Sequence, residues 1–347
     1  MLPQSPGLSL EALARRFERF AQRECQTSPL YERLALGIAR DPELLALAGH
    51  TRAGQPAPNL FLGVVHFLWL RGVQHPMASF YPSLYPSFRA FCLDHREEIR
   101  ALLSTRIVQT NEVRRCACLL PTFGLVARKA GGRPLAVVEI GASAGLNLLW
   151  DRYGYDYGVG RQYGDAQSSV QLACTLRGDR CPPIPPVLPR VATRVGLDLT
   201  PIDVRDPDAV LWLRALVWPD EVGRAELLQR ALQIAQRDPP RLIAGNALDL
   251  LPAVLATIPD DQTLCVFHTH TLNQFPPEAR ERLSCLLAEQ GAKRDLFRVS
   301  IEWLGREHPR LELVSFEGGV QTEQLLAYCS HHGEWLAWLA ADESYGA

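Results

Sequence analysis

The amino-acid sequence predicts an α/β protein in which an all-α N-terminal region precedes a sheet of parallel strands that ends in a β-hairpin. Three observations support this prediction. Residues 9–125 repeat apolar side chains at helical spacing, residues 135–290 alternate short apolar runs with amphipathic helices, and residues 296–329 contain three strand-like runs without intervening helices. Alternating strands and helices favour a parallel sheet, whereas consecutive strands favour antiparallel pairing.

The composition is that of a folded globular protein. The chain has 347 residues, of which 47% are hydrophobic and 21% are charged, so it is long enough for a large core and too apolar for disorder. A formal net charge of −2 gives no electrostatic reason to bind nucleic acid or an anionic membrane. We therefore expect neither partner.

Targeting and cysteine patterns indicate the compartment. Met1 to Leu10 lacks a basic region followed by an apolar core, so we expect no signal peptide. The longest apolar run, Leu60 to Leu70, is too short to span a bilayer. The nine cysteines contain no CxxC pair and fit neither a disulfide framework nor a zinc knuckle. These patterns predict a reduced, soluble, cytoplasmic protein, and the cysteines predict no metal site.

Helix signals follow one another through residues 1–125, which we assign to a helical N-terminal domain. Ser9 and the pairs Ser28-Pro29 and Asp41-Pro42 have the residue types that begin helices. The apolar run Leu60 to Leu70 indicates a buried helix.

Two further segments complete this domain. His75 to Phe88 is rich in proline and aromatic residues and is predicted to form a loop. Thr110-Asn111-Glu112 begins a helix that we expect to stop at Pro121, because proline removes a backbone donor. A helical domain with such a loop suits an enclosed small-molecule substrate better than a polymer.

The second predicted domain, residues 126–347, opens with the most informative stretch of the chain. Leu135 to Ile140 is an apolar run typical of a strand, Gly141 to Gly145 are small turn residues, and Leu146 to Trp150 follow a helical pattern. Strand, glycine-bearing turn and helix form the layout of a nucleotide-binding βα unit. The small residues admit a ligand close to the backbone, and the helix N-terminus offers free N–H groups.

The remaining segments of this domain predict an insertion, several strands and their helices. Residues 153–189 form a tyrosine-rich insertion with a strand at Val170 to Leu176. The predicted elements that follow are strands at Val191 to Leu199, Arg241 to Ala244 and Thr263 to His268, helices at Asp206 to Gln236 and Glu278 to Gln290, and strands at Leu296 to Trp303, Leu311 to Phe316 and Glu323 to Cys329.

The glycine-bearing turn supports two functional interpretations. As Glu139-x-Gly141-x-x-x-Gly145 it resembles motif I of class I S-adenosylmethionine-dependent methyltransferases. As Gly141-x-Ser143-x-Gly145 it matches the nucleophile elbow of α/β-hydrolases. An ordinary βα turn with small residues for packing is the third interpretation. The order of elements favours the first, because helices and no oxyanion-loop segment precede Ser143.

Several separate segments together resemble a bacterial family known as domain of unknown function 2332. They are Ser28-Pro-Leu-Tyr31, Thr110-Asn-Glu112, Glu139 to Asn147, Tyr153-Gly-Tyr155, Gly196 to Asp203 and Trp212 to Pro219. The resemblance covers nearly the whole chain. It implies a Rossmann-like sheet of the class I methyltransferase type, with parallel strands followed by a C-terminal β-hairpin.

The wider methyltransferase pattern implies S-adenosylmethionine as cofactor. The carboxylate of Asp198 would accept hydrogen bonds from the two ribose hydroxyls. Residues of the first turn would line the methionine end of the cofactor, namely Glu139, Gly141, Ala142, Ser143, Gly145 and Asn147. Three residues after the third strand would flank the adenine, namely Asn246, Ala247 and Leu248.

Two histidines close the fourth predicted strand, where ligands bind in open α/β sheets. His268 and His270 point to the same face if the strand extends that far. Either imidazole is suited to remove a proton from a substrate near neutral pH. A metal pair completed by Asp249 or Asp203, and a pair of polar residues that only orient the loop, are alternatives.

The sequence as a whole predicts a methyltransferase that uses S-adenosylmethionine and acts on a small acceptor enclosed by the helical domain. Three alternatives remain open: a serine hydrolase using Ser143, a non-catalytic protein that binds the cofactor or another nucleotide, and a protein-interaction module. The sequence does not indicate the acceptor or the oligomeric state.

Overall fold

A computed structural model describes residues 9–72 and 84–341, and the chain divides into two compact units. Unit 1 comprises residues 1–110 and 205–229, and unit 2 comprises residues 111–204 and 230–347. The predicted α/β organisation, with a helical N-terminal region and a large, mostly parallel sheet, is confirmed. The boundary expected near residue 125 falls inside a helix of unit 2.

The helices are α1 (Leu10–Arg23), α2 (Pro29–Ile38), α3 (Pro42–Ala48), α4 (Ala57–Leu70), α5 (Leu84–Asp94), α6 (Arg96–Thr105), α7 (Arg115–Lys129), α8 (Pro207–Ala215), α9 (Val222–Arg237), α10 (Ala247–Ala256) and α11 (Pro277–Gly291). Short 3-10 helices occupy Cys25–Thr27, Leu146–Arg152 and Leu272–Gln274. Within the described ranges, no helix is long and apolar enough to cross a membrane.

The strands are β1 (Leu135–Ile140), β2 (Gly154–Asp156), β3 (Gln162–Gly164), β4 (Gln171–Ala173), β5 (Thr175–Leu176), β6 (Val191–Asp198), β7 (Arg241–Ala244), β8 (Thr263–Thr269), β9 (Leu296–Glu302), β10 (Arg310–Glu317), β11 (Val320–Cys329) and β12 (Trp335–Trp338).

The helix starts of unit 1 confirm the predicted caps. The Ser9 hydroxyl accepts from the amide of Ala12, and the Ser28 hydroxyl accepts from the amide of Tyr31. The Asp41 carboxylate accepts from the first-turn amides of α3. Each side chain satisfies a backbone donor that the helix itself leaves unpaired. The predicted buried helix is α4, which lies in the core of unit 1 along nearly its whole length.

Two predictions for unit 1 are wrong. Residues 75–83 of the predicted loop lie outside the described residues, but α5 already begins at Leu84 because every fourth residue from Leu84 to Cys92 enters the core. The single helix expected over residues 206–236 is instead the pair α8 and α9. Pro219 lies between them, where a missing backbone donor disfavours a continuous helix.

Helix α7 of unit 2 passes through Pro121, where it was expected to stop. Proline cannot donate to the carbonyl four residues earlier, which here belongs to Ala117. The hydroxyl of Tyr157 donates to that carbonyl at 2.6 Å and replaces the missing bond. A side chain distant in sequence therefore permits the helix to continue to Lys129.

The central sheet of unit 2 has the order β5-β12-β11-β10-β9-β8-β1-β6-β7. Strands β7, β6, β1, β8 and β9 run parallel, whereas β9 to β12 form an antiparallel meander. In the parallel block, the chain moves from β1 to β6 and β7 on one side and then returns to β8 on the other. This reversal places a topological switch point between β1 and β8.

The C-terminal hairpin is β10 and β11, joined by Gly318-Gly319 with φ angles of 58° and 80°. Two residues with positive φ are what a tight hairpin turn needs. The sequence did not predict β12, which extends the meander and pairs in parallel with β5.

The tyrosine-rich insertion forms a second sheet with the order β3-β2-β4. The single strand predicted from Val170 to Leu176 is divided at Cys174 between this sheet and the central one. The Tyr153 hydroxyl donates to the carbonyl of Leu146 at 2.7 Å, and the Tyr155 hydroxyl donates to the carbonyl of Trp150. Both tyrosines are thus buried with their polar ends satisfied.

Candidate functional site

Buried polar groups collect at the carboxyl ends of β1, β8 and β9, next to the switch point. In open α/β sheets, ligands bind in the crevice at this position. The side chains with buried polar atoms that lack a hydrogen-bond partner among the described residues include Glu139, Ser143, His268, His270 and Glu302. Buried polar atoms are normally paired, so such a group points to a ligand or to water.

Glu139 lies near the end of β1 and is 1% exposed. Its Oε1 accepts from Nδ2 of Asn147 at 3.2 Å, whereas Oε2 has no partner within the described part of the chain. Burial raises the pKa of Glu139 well above its usual range, and the charge of Asp198 adds to this effect. The Asn147 hydrogen bond and Arg115 act in the opposite direction. The structure thus brings Glu139 and Asn147 together.

Gly141 follows β1 with a φ of +74°, and the side chain of Thr271 packs so closely against it that a Cβ atom does not fit there. A Cβ atom at residue 141 would lie 2.5 Å from Oγ1 and 2.7 Å from Cγ2 of Thr271. The Thr271 hydroxyl also donates to the carbonyl of Ile140 at 3.1 Å. The space beside Gly141 is therefore filled by a side chain, and a ligand reaches this backbone only if Thr271 moves.

Gly145 is required for packing rather than for an open approach. A Cβ atom there would lie 2.6 Å from Cγ of Pro240, and its φ of +71° favours glycine. The following helix is a 3-10 helix with a non-helical residue at Leu149, not the regular helix start that the pattern predicted. Its first amide, from Leu146, donates to Oδ1 of Asn111 at 3.0 Å. Ala142 is fully buried.

Ser143 occupies the left-handed region with a φ of +53°, which is unusual for serine. Its amide donates to Oδ2 of Asp198 at 2.8 Å, and its carbonyl accepts from the amide of Ile202 at 3.0 Å. These bonds attach the turn to the end of β6. Its hydroxyl is buried, and no histidine among the described residues hydrogen bonds to it.

The other residues implied for the cofactor hold loops at the same edge. Asp198 accepts with Oδ1 from the amide of Thr200 at 2.9 Å, in addition to its bond with Ser143. Asn246 caps α10 by accepting from the amide of Leu248 at 3.0 Å. Ala247 and Leu248 belong to the apolar core of unit 2. Their part in cofactor binding stays a prediction.

His268 is completely buried near the end of β8 and is bound to Glu302 at the end of β9. Its Nδ1 lies 2.7 Å from Oε1 of Glu302, and Nε2 has no partner among residues 9–72 and 84–341. His268 follows Phe267, the register partner of Glu139, so the two side chains leave opposite faces of the sheet. Both residues lie at the carboxyl ends of β1 and β8, the two strands that flank the switch point.

His270 does not share the face of His268, because β8 ends at Thr269 and His270 has a φ of +54°. Its ring lies 5.2 Å from that of His331, centroid to centroid. The pKa of His270 is lowered to about 2, chiefly by burial, and the charges of Arg115, His331 and His332 contribute to this lowering. His270 is thus held as a neutral imidazole at physiological pH.

Sequence reasoning missed Glu302 and Arg115. Arg115, at the start of α7, donates through Nε to the carbonyl of His331 at 2.9 Å and through Nη1 to Thr269 at 3.3 Å. No sequence signal identifies this role for an arginine. Glu302 had a signal, since it is a carboxylate at the carboxyl end of the strand beside β8.

The metal interpretation of the histidines finds no support from the geometry. Asp249 instead pairs with Arg282 on the surface at 2.6 Å. In the part of the chain that the structure describes, no three His, Cys, Asp or Glu side chains are arranged to hold a metal ion.

The arrangement combines a buried carboxyl group, a histidine–carboxylate pair and a glycine-bearing turn at one switch point.

Comparison with curated proteins and with solved structures gave no match. A family model does match, over residues 14–338, and its description is "Uncharacterized protein conserved in bacteria (DUF2332)". The chain belongs to this family.

Proposed function

We propose that unit 2 binds S-adenosylmethionine at the crevice between β1 and β8 and transfers its methyl group to a small acceptor beside His268. Numbered in chain order, the parallel strands β7, β6, β1, β8 and β9 have the order 3-2-1-4-5 of a doubly wound sheet. The crevice lies where the loops that follow β1 and β8 begin. The predicted Rossmann-like methyltransferase sheet has the same parallel strands followed by a hairpin.

The observation that carries the proposal is a pair of unsatisfied buried atoms on residues near the carboxyl ends of β1 and β8, the strands that flank the switch point. They are Oε2 of Glu139 and Nε2 of His268, neither of which has a partner among the described residues. Leaving a polar group buried and unpaired costs about 1–3 kcal/mol, so a polar ligand that bonded to these two atoms would recover that free energy.

Different residues would bind the cofactor and the methyl acceptor. Glu139 and Asn147 are suited to the amino group at the methionine end, because a carboxyl oxygen and an amide oxygen both accept hydrogen bonds. Asp198 would receive the ribose hydroxyls and the loop at Asn246 the adenine. When bound, the cofactor supplies an electrophilic methyl group. His268 would receive the acceptor's proton, and Thr271 must withdraw from Gly141 for the site to fill.

Calorimetric titration of the full chain with S-adenosylhomocysteine and S-adenosylmethionine tests the proposal. We expect binding that Glu139→Gln weakens at least about tenfold, since one lost charge-assisted hydrogen bond is worth about 1.5–3 kcal/mol. The substitution keeps an oxygen for Asn147 and changes only the second atom of the carboxyl group. Glu317→Gln is the matched control, because Glu317 ends β10 beside the start of β9, at the amino ends of the parallel strands and away from the candidate site.

The absence of any heat or thermal shift with millimolar ligand would contradict the proposal. It would favour a protein that binds a different nucleotide, or one that acts through protein interactions.

A serine hydrolase is the second candidate, favoured by the left-handed φ of Ser143 inside a Gly-x-Ser-x-Gly turn. A nucleophilic serine needs a base within hydrogen-bond reach. The amide of Ser143 is instead bound to Asp198 on the side of β6, whereas His268 lies on β8 at the other side of β1. The methyltransferase proposal therefore has the stronger support.

A further inference from the structure

One oxygen of Glu302 receives three hydrogen bonds. Oε1 lies 2.7 Å from Nδ1 of His268, 3.0 Å from the amide nitrogen of Thr271 and 3.2 Å from the amide nitrogen of Leu272. Glu302 is 6% exposed and His268 is 0% exposed, so bulk water does not compete for these positions. The second oxygen, Oε2, has no partner in the described residues.

The backbone amides determine where the proton of His268 lies. An amide N–H can only donate, so Thr271 and Leu272 require Oε1 to be an acceptor that carries no proton. Nδ1 must then donate to the same oxygen and must hold the hydrogen. When the imidazole is neutral it carries only this one N–H, so Nε2 then keeps a lone pair. This atom is buried and unpartnered among the described residues.

We infer that Glu302 is a positioning residue that fixes His268 as a proton acceptor at Nε2, so that the methyl acceptor is an alcohol or a phenol. The inference rests on the proposed function for the identity of the reaction, but not for the state of the ring. A carboxylate has no proton to donate and would direct its lone pairs at that of Nε2. A thiol has less need of a base, because its pKa of about 8.5 leaves a fraction of nucleophilic thiolate at neutral pH. An ammonium group would have to lose its hydration in a fully buried site, which costs far more than burying a hydroxyl.

The proton step is then defined. The O–H bond of the acceptor breaks, its electron pair stays on the acceptor oxygen, and the proton forms a new N–H bond at Nε2. The resulting imidazolium donates through Nδ1 to Glu302, whose charge stabilises it. The negatively polarised oxygen becomes the nucleophile. A base is useful here because alcohols and phenols keep their proton at neutral pH.

The state of the ring can be measured without cofactor or substrate. Nitrogen-15 NMR of the full chain labelled in histidine distinguishes the two tautomers, and His268→Gln assigns the signal. We expect His268 to carry its proton on Nδ1 in the wild type and in Glu302→Gln, whose amide oxygen can accept the same three bonds. In Glu302→Ala we expect a mixture of tautomers. A proton on Nε2 in the wild type, or an unchanged tautomer in Glu302→Ala, would overturn the inference. If Glu302→Ala does not fold, the wild-type spectrum decides.

The acceptor class is tested on protein saturated with S-adenosylhomocysteine. Phenol and benzoate are compared as probes of similar size and shape, with the Nε2 signal of His268 as the readout. We expect phenol to shift this signal and benzoate to leave it unchanged. A shift with benzoate, or none with phenol, would reject the hydroxyl acceptor. Failure to bind S-adenosylhomocysteine would contradict the proposed function alone, since the tautomer is measured without it.

Discussion

Nδ1 of His268 and Oε1 of Glu302 lie 2.7 Å apart, joining the carboxyl ends of two neighbouring parallel strands. The same Glu302 oxygen accepts from the amides of Thr271 and Leu272, so it also fixes the loop that follows β8. Thr271 in turn contacts the position of Gly141 after β1. One carboxyl group thus connects a histidine, a loop and the glycine-bearing turn across the switch point.

His268→Ala is expected to lower the turnover number for methyl transfer to a phenolic acceptor by about a hundredfold, because a general base contributes about 10²–10⁴ to the rate. Affinity for S-adenosylhomocysteine should change little. His270→Ala is the matched control, since no carboxylate among the described residues pairs with His270. Steady-state kinetics and calorimetry on both variants provide the measurement. A fall in activity that only follows the loss of folded protein would assign His268 a structural role.

Gly141→Ala should destabilise unit 2 by about 2–5 kcal/mol, because a left-handed alanine costs about 1–2 kcal/mol and overpacking adds about 1–3 kcal/mol. Gly132→Ala separates the two effects, since Gly132 has a φ of +79° but nothing within 4 Å of its absent Cβ. Urea unfolding of both variants gives the comparison. Adding Thr271→Gly to Gly141→Ala should restore the packing part alone. Equal losses for Gly132→Ala and Gly141→Ala would show that Thr271 does not fill this space.

Glu139 should make the free energy of unfolding depend on pH. Burial raises its pKa in the folded state, whereas the ordinary value is 4.5. The folded protein therefore binds the proton more tightly, and stability falls as pH rises from about 4.5 through the raised pKa. Glu139→Gln removes this dependence, so the variant should match the wild type below pH 4.5 and exceed it increasingly above. Urea unfolding between pH 4 and 9 tests the sign. A constant difference across that range would contradict the raised pKa.

A fluorophosphonate probe should not label Ser143, because the structure gives this hydroxyl no activating histidine among the described residues. Mass spectrometry of the labelled protein locates any modified serine. Ser143→Ala provides the control for labelling at other sites. A stoichiometric adduct on Ser143 in the wild type would revive the hydrolase interpretation.

Much of the fold follows from local patterns in the sequence. The β-branched run at Leu135 to Ile140 and the cap residues Ser28 and Asp41 act within a few residues of themselves, so periodicity and residue type predict them. The predicted end of α7 at Pro121 failed for the opposite reason. Its missing hydrogen bond is supplied by Tyr157, and no local pattern contains that information.

In the candidate site, too, some features follow from local sequence and others from contacts between distant segments. The positions of Glu139 and His268 at the ends of strands follow from the chain order of strands and turns, which the sequence predicts, whereas the switch point follows from the spatial order of the strands. The Glu302 hydrogen bonds and the contact of Thr271 with Gly141 depend on how β8, β9 and β1 align in space. The glycines of the turn were interpreted as room for a ligand, yet Thr271 and Pro240 occupy the space that they provide. Glycine in a sequence marks a close approach but does not identify what approaches.

The hydrogen bond of the Tyr157 hydroxyl couples the local unfolding of two segments of unit 2. Because this hydroxyl supplies the bond that Pro121 cannot make, the insertion between β1 and β6 and helix α7 depend on each other for their hydrogen bonding. Neither segment can detach without leaving the Ala117 carbonyl unpaired. We expect them to exchange their protected amide hydrogens together, as one cooperative folding unit. In Tyr157→Phe the two segments should exchange separately, whereas the further change Pro121→Ala should restore the protection of α7 alone.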